Sequence, residues 1–247
     1  MNATFRADLY AGKAALVVGG TSGIGAAIAA TLAGLGGEVT VTGATEEEAS
    51  AAQRTSTTPF RDVTAVDVRD DVAIHALVAR LPRLDFLVNC AGIIRRGAEH
   101  DPDVFAEVVA INLTGTMRCC TAARDKLKVT GGTIVNMASM LSYHGAPQAP
   151  GYSASKGGVA QLTKALAIAY AADGIRVNAV APGWVKTALT RPLQDDPTRS
   201  AAILARTPLG RWAEPADIAG AVVFLGSPAA RFVTGIVLPV DGGYLAM

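Results

Sequence analysis

Short β-branched runs alternate along the chain with longer segments whose apolar positions recur every three or four residues. The runs predict strands at 14–18 (AALVV), 38–42 (EVTVT), 63–68 (VTAVDV), 85–90 (DFLVNC), 132–138 (GTIVNMA), 176–181 (RVNAVA) and 235–240 (GIVLPV). Nearly continuous apolar runs of that length suit strands covered on both faces. Between the first two, Ile24, Ile28, Leu32 and Leu35 form a helical stripe that stops at Gly36-Gly37. Thr45 to Glu48 reads as a capping box opening the next helix. Further helical segments are expected at 70–81, 101–127, 153–172 and 214–226.

Strands alternating with helices imply right-handed crossovers. The fold class is therefore α/β: one Rossmann-type doubly wound domain over residues 1–247, with a seven-stranded parallel sheet and helices on both faces. The one long irregular stretch, 183–213, holds Pro192, Pro197 and Pro208 and is expected to be a lid.

Composition adds bounds rather than direction. Half of the 247 residues are hydrophobic and 17% are charged, so a large core is available. A net charge of +1 gives neither a nucleic acid nor a membrane surface anything to bind. The three cysteines, Cys90, Cys119 and Cys120, lack metal-ligand spacing and read as small buried apolar residues; no metal is expected. The first thirteen residues contain no leader-like apolar core, and no run reaches the ~18 apolar residues of a membrane span. A reducing cytoplasm is the expectation. Of the three histidines, His75 is placed on a solvated helix face and His100 in a loop; His144 is a candidate for touching substrate.

Two motifs carry chemistry. The first strand runs into GGTSGIG, residues 19–25, which opens a helix. Gly19, Gly23 and Gly25 allow a tight turn with close backbone approach, and the helix N-terminus offers free N–H groups to a pyrophosphate. A merely tight turn is the plain alternative. In GYSASKGG, residues 151–158, Tyr152 and Lys156 lie one helical turn apart on one face. A lysine cation there would lower the phenol's pKa from near 10 towards the working range of a general base. That spacing alone is a weak signal.

Together with their surroundings these motifs resemble the short-chain dehydrogenase/reductase family over nearly the whole chain. The glycine turn matches with Thr21, Ser22 and Ile24 between and beside its glycines, except that Val18 stands where the family has a turn-bracing Thr. Asn89, Ala91 and Gly92 match the segment after the fourth strand, and Asp67 with Val68 the acidic position near the adenine. Asn112, Ser139, Tyr152 and Lys156 match the catalytic tetrad; Pro182, Gly183, Val185 and Thr187 match the segment that holds the nicotinamide amide. The resemblance implies hydride transfer between a nicotinamide and a secondary alcohol or ketone. Tyr152 would carry the proton, Ser139 would bond the reacting oxygen, Lys156 would hold the ribose, and Asn112 would bind a water. The small residues beside Tyr152 would admit the cofactor. At the end of the second strand Gly43 and Ala44 supply neither the carboxylate that reads an NAD 2′-hydroxyl nor the guanidinium that accepts an NADP 2′-phosphate. With no guanidinium there, NAD is favoured over NADP.

NCAGIIRRGA, NMASMLSYHGAP, RSAAILARTPLGRWAEPADI and VDGGYLAM resemble a sugar-acid branch of the family, the 2-dehydro-3-deoxy-gluconate and gluconate 5-dehydrogenases. That implies a sugar-acid substrate and a homotetramer. Arg95 and Arg96, with Arg206 and Arg211 from the lid, are then candidates for the substrate carboxylate, since a guanidinium matches a carboxylate two-pronged. A 3-oxoacyl carrier-protein reductase is the rival enzyme, and a non-enzymatic nucleotide sensor the rival of another class; the sensor would have lost Tyr or Lys.

Overall fold

The computed structural model describes residues 4–247; residues 1–3, the start of the segment read as lacking a leader, lie outside the described residues. Seven strands, β1 (Ala14–Val18), β2 (Glu38–Gly43), β3 (Asp62–Ala65), β4 (Phe86–Asn89), β5 (Thr133–Met137), β6 (Arg176–Pro182) and β7 (Val237–Val240), form one sheet. Its order is β3-β2-β1-β4-β5-β6-β7 and every pairing is parallel. The winding reverses between β1 and β4. Crossovers leave in opposite directions there, so the crevice beyond those two strand ends is where a ligand can enter.

The helices are α1 (Gly23–Gly34), α2 (Glu46–Thr55), α3 (Asp71–Arg80), α4 (Pro102–Val109), α5 (Gly115–Thr130), α6 (Pro150–Tyr170), α7 (Arg191–Gln194), α8 (Pro197–Ala205) and α9 (Pro215–Gly226). Alternation along β1 feeds both faces. Ala15 and Val17 meet Ile28 and Leu32 of α1 and Ile218 and Val222 of α9. Leu16 and Val18 meet Ile74, Leu127 and Leu166 of α3, α5 and α6. Cys119 and Cys120 are buried in the second layer and Cys90 is half-buried.

Most boundaries shift by a residue or two, and four segments differ from expectation for a reason outside the local pattern. β3 ends at Ala65 rather than 68 because its partner β2 ends at Gly43, and Asp67 then turns the chain by accepting the Arg69 N–H. The segment 101–127 is not one regular helix: a π-helical turn, Ala110–Thr114, separates α4 from α5. α6 starts at Pro150, so Tyr152 lies in its first turn. The segment 183–213, expected to be irregular, holds α7, α8 and a 3₁₀ turn at Ala188–Thr190. Pro192 and Pro197 open helices there rather than breaking them, because a first-turn proline forfeits no helical bond. The Thr45 box forms only halfway: Thr45 accepts the Glu48 N–H, whereas the Glu48 carboxylate accepts from Ala44 instead of Thr45.

Candidate active site

A crevice of about 450 Å³ opens at the C-terminal ends of β1 and β4. Gly19, Thr21, Ser22, Gly23, Ile24, Gly25, Gly43, Ala44, Asp67, Val68, Ala91, Gly92, Tyr152, Lys156 and Thr187 all line it. Asn89, Pro182, Gly183 and Val185 do not; they brace it from behind. Asn89 is buried and donates to Asn136 Oδ1 at 2.9 Å. Pro182 and Val185 are buried, and Gly183 packs so closely on Asp241 that a Cβ would lie 2.7 Å from its Cα.

The glycine turn fits a pyrophosphate. A Cβ on Gly25 would stand 2.1 Å from Gly19 O, and one on Gly19, where φ is +74°, would stand 2.5 Å from Ala91 N. Only glycine folds the loop this tightly against the β4 turn. At the head of α1, Ser22 makes no side-chain cap bond and the first turn carries no acidic residue, so N–H groups are left for an anion. The hydroxyl that Val18 lacks comes from the neighbouring strand: Thr42, 1% exposed, accepts the Gly19 N–H at 3.2 Å.

The ribose end corrects the reading of Gly43 and Ala44. Glu48 and Arg69 both line the crevice, so a carboxylate and a guanidinium do lie within it. Glu48 reaches back from the first turn of α2, and its carboxylate accepts the Ala44 N–H at 2.7 Å. Arg69 grips Asp67 with two nitrogens, at 2.7 and 3.0 Å, and holds its carboxyl below the usual range. A half-formed capping box was the available hint for Glu48. Nothing local singles out Arg69.

At the other end, α6 presents Tyr152 to the crevice and buries Lys156, which is 4% exposed. Lys156 Nζ donates to Met137 O at 2.6 Å and lies 5.6 Å from the Tyr152 ring centre. Burial brings the ammonium down to about 8. Burial also pushes the Tyr152 phenol up; the Ser139 hydroxyl and the Arg96 guanidinium pull it down, and Glu99 pushes it up. The net direction in the ligand-free protein is up. This corrects the expectation that Lys156 lowers it, since dehydration outweighs the neighbours and the cation that acts on the phenol is Arg96. Ser139 caps a 3₁₀ turn, Met140–Ser142, whose Ser142 hydroxyl donates to Lys156 O at 2.6 Å.

Asn112 sits in the π turn, fully buried. Both of its amide hydrogens are committed, to Ile93 O at 2.9 Å and Ser155 Oγ at 3.0 Å, and its Oδ1 accepts the Ile93 N–H at 2.8 Å. Two of the glycines of α6 face this bulge and α4: Cβ atoms on Gly158 and Gly151 would strike Leu113 at 2.6 Å and Phe105 at 3.2 Å.

The arginines separate. Arg96 donates to Leu189 O at 3.3 Å, linking the loop after β4 to the segment 183–213, and burial lowers its pKa. Arg95 turns to Glu107 at 3.7 Å. Arg211 is bonded two-pronged to Asp217, at 2.6 and 2.9 Å, and lines a separate hollow with Trp184 and Asp241. Arg206 lies 4.5 Å over the Tyr244 ring. The His144 ring stands 6.0 Å from the same tyrosine, with Nε2 buried and unpartnered. His75 is exposed beside Asp71, and His100 Nε2 bonds Pro147 O.

A family model described as enoyl-(acyl carrier protein) reductase matches residues 18–245. The chain is 41% identical over 244 residues to a 2-dehydro-3-deoxy-D-gluconate 5-dehydrogenase of Bacillus subtilis (strain 168), covering 95% of each chain. The chain belongs to the short-chain dehydrogenase/reductase family. It is likewise 41% identical to a cis-4-hydroxycyclohexanecarboxylate dehydrogenase of Sinomonas cyclohexanicum, over 97% of this chain and 99% of that one. The solved gluconate 5-dehydrogenase of Burkholderia cenocepacia J2315, in complex with NADP and tartrate, superposes with a TM-score of 0.90 at 34% identity, covering 98% of each chain. As a short-chain dehydrogenase/reductase the protein is an oxidoreductase that uses a nicotinamide dinucleotide. Among the described residues, no helix is long and apolar enough to cross a membrane.

Proposed function

We propose that the protein interconverts a secondary alcohol and its ketone on a sugar acid of the 2-dehydro-3-deoxy-gluconate or gluconate type. The observation that carries the substrate class is Arg96, whose guanidinium acts on the Tyr152 phenol and also reaches the lid at Leu189. A carboxylate-bearing substrate bridging those two points would have its charge matched and its alcohol beside the proton carrier. Two named relatives act on carboxylates, and the solved neighbour was captured with tartrate.

When bound, the nicotinamide takes or gives the hydride. The chain's own residues manage the proton and the geometry. Tyr152 takes the hydroxyl proton in oxidation and returns it in reduction. Ser139, whose hydroxyl acts on that phenol, steadies the reacting oxygen. Buried Lys156, whose Nζ lies 5.6 Å from the Tyr152 ring centre in the crevice, would hold the nicotinamide ribose. Asn112 keeps one Oδ1 lone pair for a water and clamps the Ile93 backbone. Of the two dinucleotides, NAD is the reading favoured by Glu48, a carboxylate at the ribose end of the crevice. A single domain over 1–247 with 183–213 as lid, a homotetramer and a cytoplasmic setting complete the reading. The free thiols suit a reducing compartment, and edge strand β7, partly exposed along its length, suits pairing between copies.

A panel of sugar acids, neutral polyols and 3-oxoacyl thioesters, run with NAD(H) and NADP(H) and followed by absorbance, tests the substrate class. Sugar acids should lead, and dominance by thioesters would replace this reading with the carrier-protein one. Tyr152→Phe should cost at least ~10²–10⁴ in turnover with NADH affinity intact. Near wild-type turnover in that variant would refute the mechanism.

A further inference from the structure

Glu99 is a carboxylate 1% exposed to which the proposed reaction gives no role. Its Oε1 accepts the Arg95 N–H and its Oε2 the Tyr152 N–H, each at 2.7 Å. Tyr152 lies in the first turn of α6, where backbone N–H groups have no partner within the helix and the positive helix end favours an anion. α6 has no cap of its own, since Ala149 makes no side-chain bond and Pro150 has no N–H to offer. Gly151 leaves the room: a Cβ there would stand 3.3 Å from Glu99 Oε2. The same stretch is stitched to the approach of α6 by Gly97 N–H to Gln148 O at 2.7 Å and by His100 Nε2 with Pro147 O at 2.9 Å.

We infer that Glu99 is a positioning residue, whose carboxylate ties the backbone of the Arg95–Arg96 corner to the first turn of α6 and so holds that corner and Tyr152 in one fixed arrangement. The inference rests on the reading of Tyr152 as proton carrier. It joins residues far apart in sequence, and it explains why a buried charge is kept: two charge-assisted bonds and a helix end offset its dehydration. The charge also acts on the phenol through space. Around Tyr152 stand Arg96 on the Glu99 turn, Lys156 on α6, with Cys90 acting on it, and Ser139 beyond β5; on α4, Glu107 is turned to Arg95. Glu99 holds the phenol up, and Arg96 and Ser139 draw it down.

Glu99→Gln keeps the shape, removes the charge, and leaves one N–H facing an amide NH₂. Three measurements on the full enzyme test it: kcat on the best substrate, NADH affinity, and titration of Tyr152 by ¹³C-tyrosine NMR without ligand, its signal identified by loss in Tyr152→Phe. Expected are a roughly 10- to 100-fold fall in kcat from a misplaced acid, unchanged NADH affinity, and a lower Tyr152 midpoint, because the carboxylate charge that raises it is gone. An unchanged kcat and midpoint overturns the inference, as does a loss of activity matched by lost NADH affinity with the midpoint unmoved. If Glu99→Gln does not fold, Glu99→Asp keeps the charge but is too short to hold both N–H groups; it should lower kcat roughly 3- to 10-fold with NADH affinity intact, and full kcat there also overturns the inference. Tyr152→Phe separates the two levels: if that variant stays active the proton-carrier reading fails, whereas a dead Tyr152→Phe with an unaffected Glu99→Gln sinks only the role of Glu99.

Discussion

Glu48 shows how much one side chain can redirect. Its carboxylate bonds the Ala44 N–H at 2.7 Å and stands within 3.1 Å of where a Gly43 Cβ would be. A 2′-hydroxyl brought there finds an acceptor, and a 2′-phosphate finds a like charge. Glu48→Gln keeps the length and removes that charge. The ratio of kcat/KM for NADP to that for NAD should then rise about 10-fold or more, the worth of one charged hydrogen bond. An unchanged ratio would mean that the ribose is read elsewhere, with Arg69, freed from Asp67, the next residue to replace.

At the scale of elements, the strand–helix turn after β1 depends on its neighbour β2. With Val18 in place of a hydroxyl residue, the Gly19 N–H is satisfied by Thr42 across the parallel pair, where Val18 lies opposite Thr42. Thr42→Val is isosteric and leaves that donor without a partner, at a cost of about 1–3 kcal/mol. Because the loop is the dinucleotide cradle, part of that cost should appear as weaker NADH binding, roughly 5- to 50-fold by titration. Full affinity in a folded Thr42→Val protein would show that the glycines alone hold the turn. The π turn between α4 and α5 is a second such device. It rotates Asn112 off the regular helical course and into contact with Ile93 and Ser155, a use that π bulges often have near functional sites.

Across the whole molecule, chemistry and anchoring lie at opposite ends of the sheet. The C-terminal strand ends carry the crevice. At the N-terminal ends Asp85 gathers Arg83 at 2.6 Å, Ala14 N at 3.0 Å and Lys13 at 3.2 Å. Burial raises the Asp85 carboxyl, but those three donors outweigh it and hold it below its ordinary value. A carboxyl depressed in the native state stabilises the fold above its unfolded value, near 3.9, and that contribution is lost as pH falls through the lower native value. Asp85→Asn should therefore cost about 1–3 kcal/mol in urea unfolding at pH 7, and the gap to wild type should narrow as pH drops below about 4. Since Asp85 is remote from the crevice, kcat/KM should stay the same. A fall in kcat/KM without a loss of stability would contradict this division.

The sequence alone determined what depends on neighbours along the chain. β1 matches its apolar run to the residue, the α1 stripe faces the sheet, Thr45 caps α2, and the glycine turn and Tyr152–Lys156 pair lie in one crevice. Burial periodicity and cap chemistry act within a few residues, so a linear reading captures them. Tertiary structure decided what depends on meetings between distant segments. Glu99 meets Tyr152 across 53 positions and Asn112 meets Ser155 across 43. Arg211 pairs with Asp217, while Arg96 acts on the Tyr152 phenol. The direction of the Tyr152 shift belongs to the same class. Dehydration and charge act through space, and their balance is fixed only when every packed neighbour is in place.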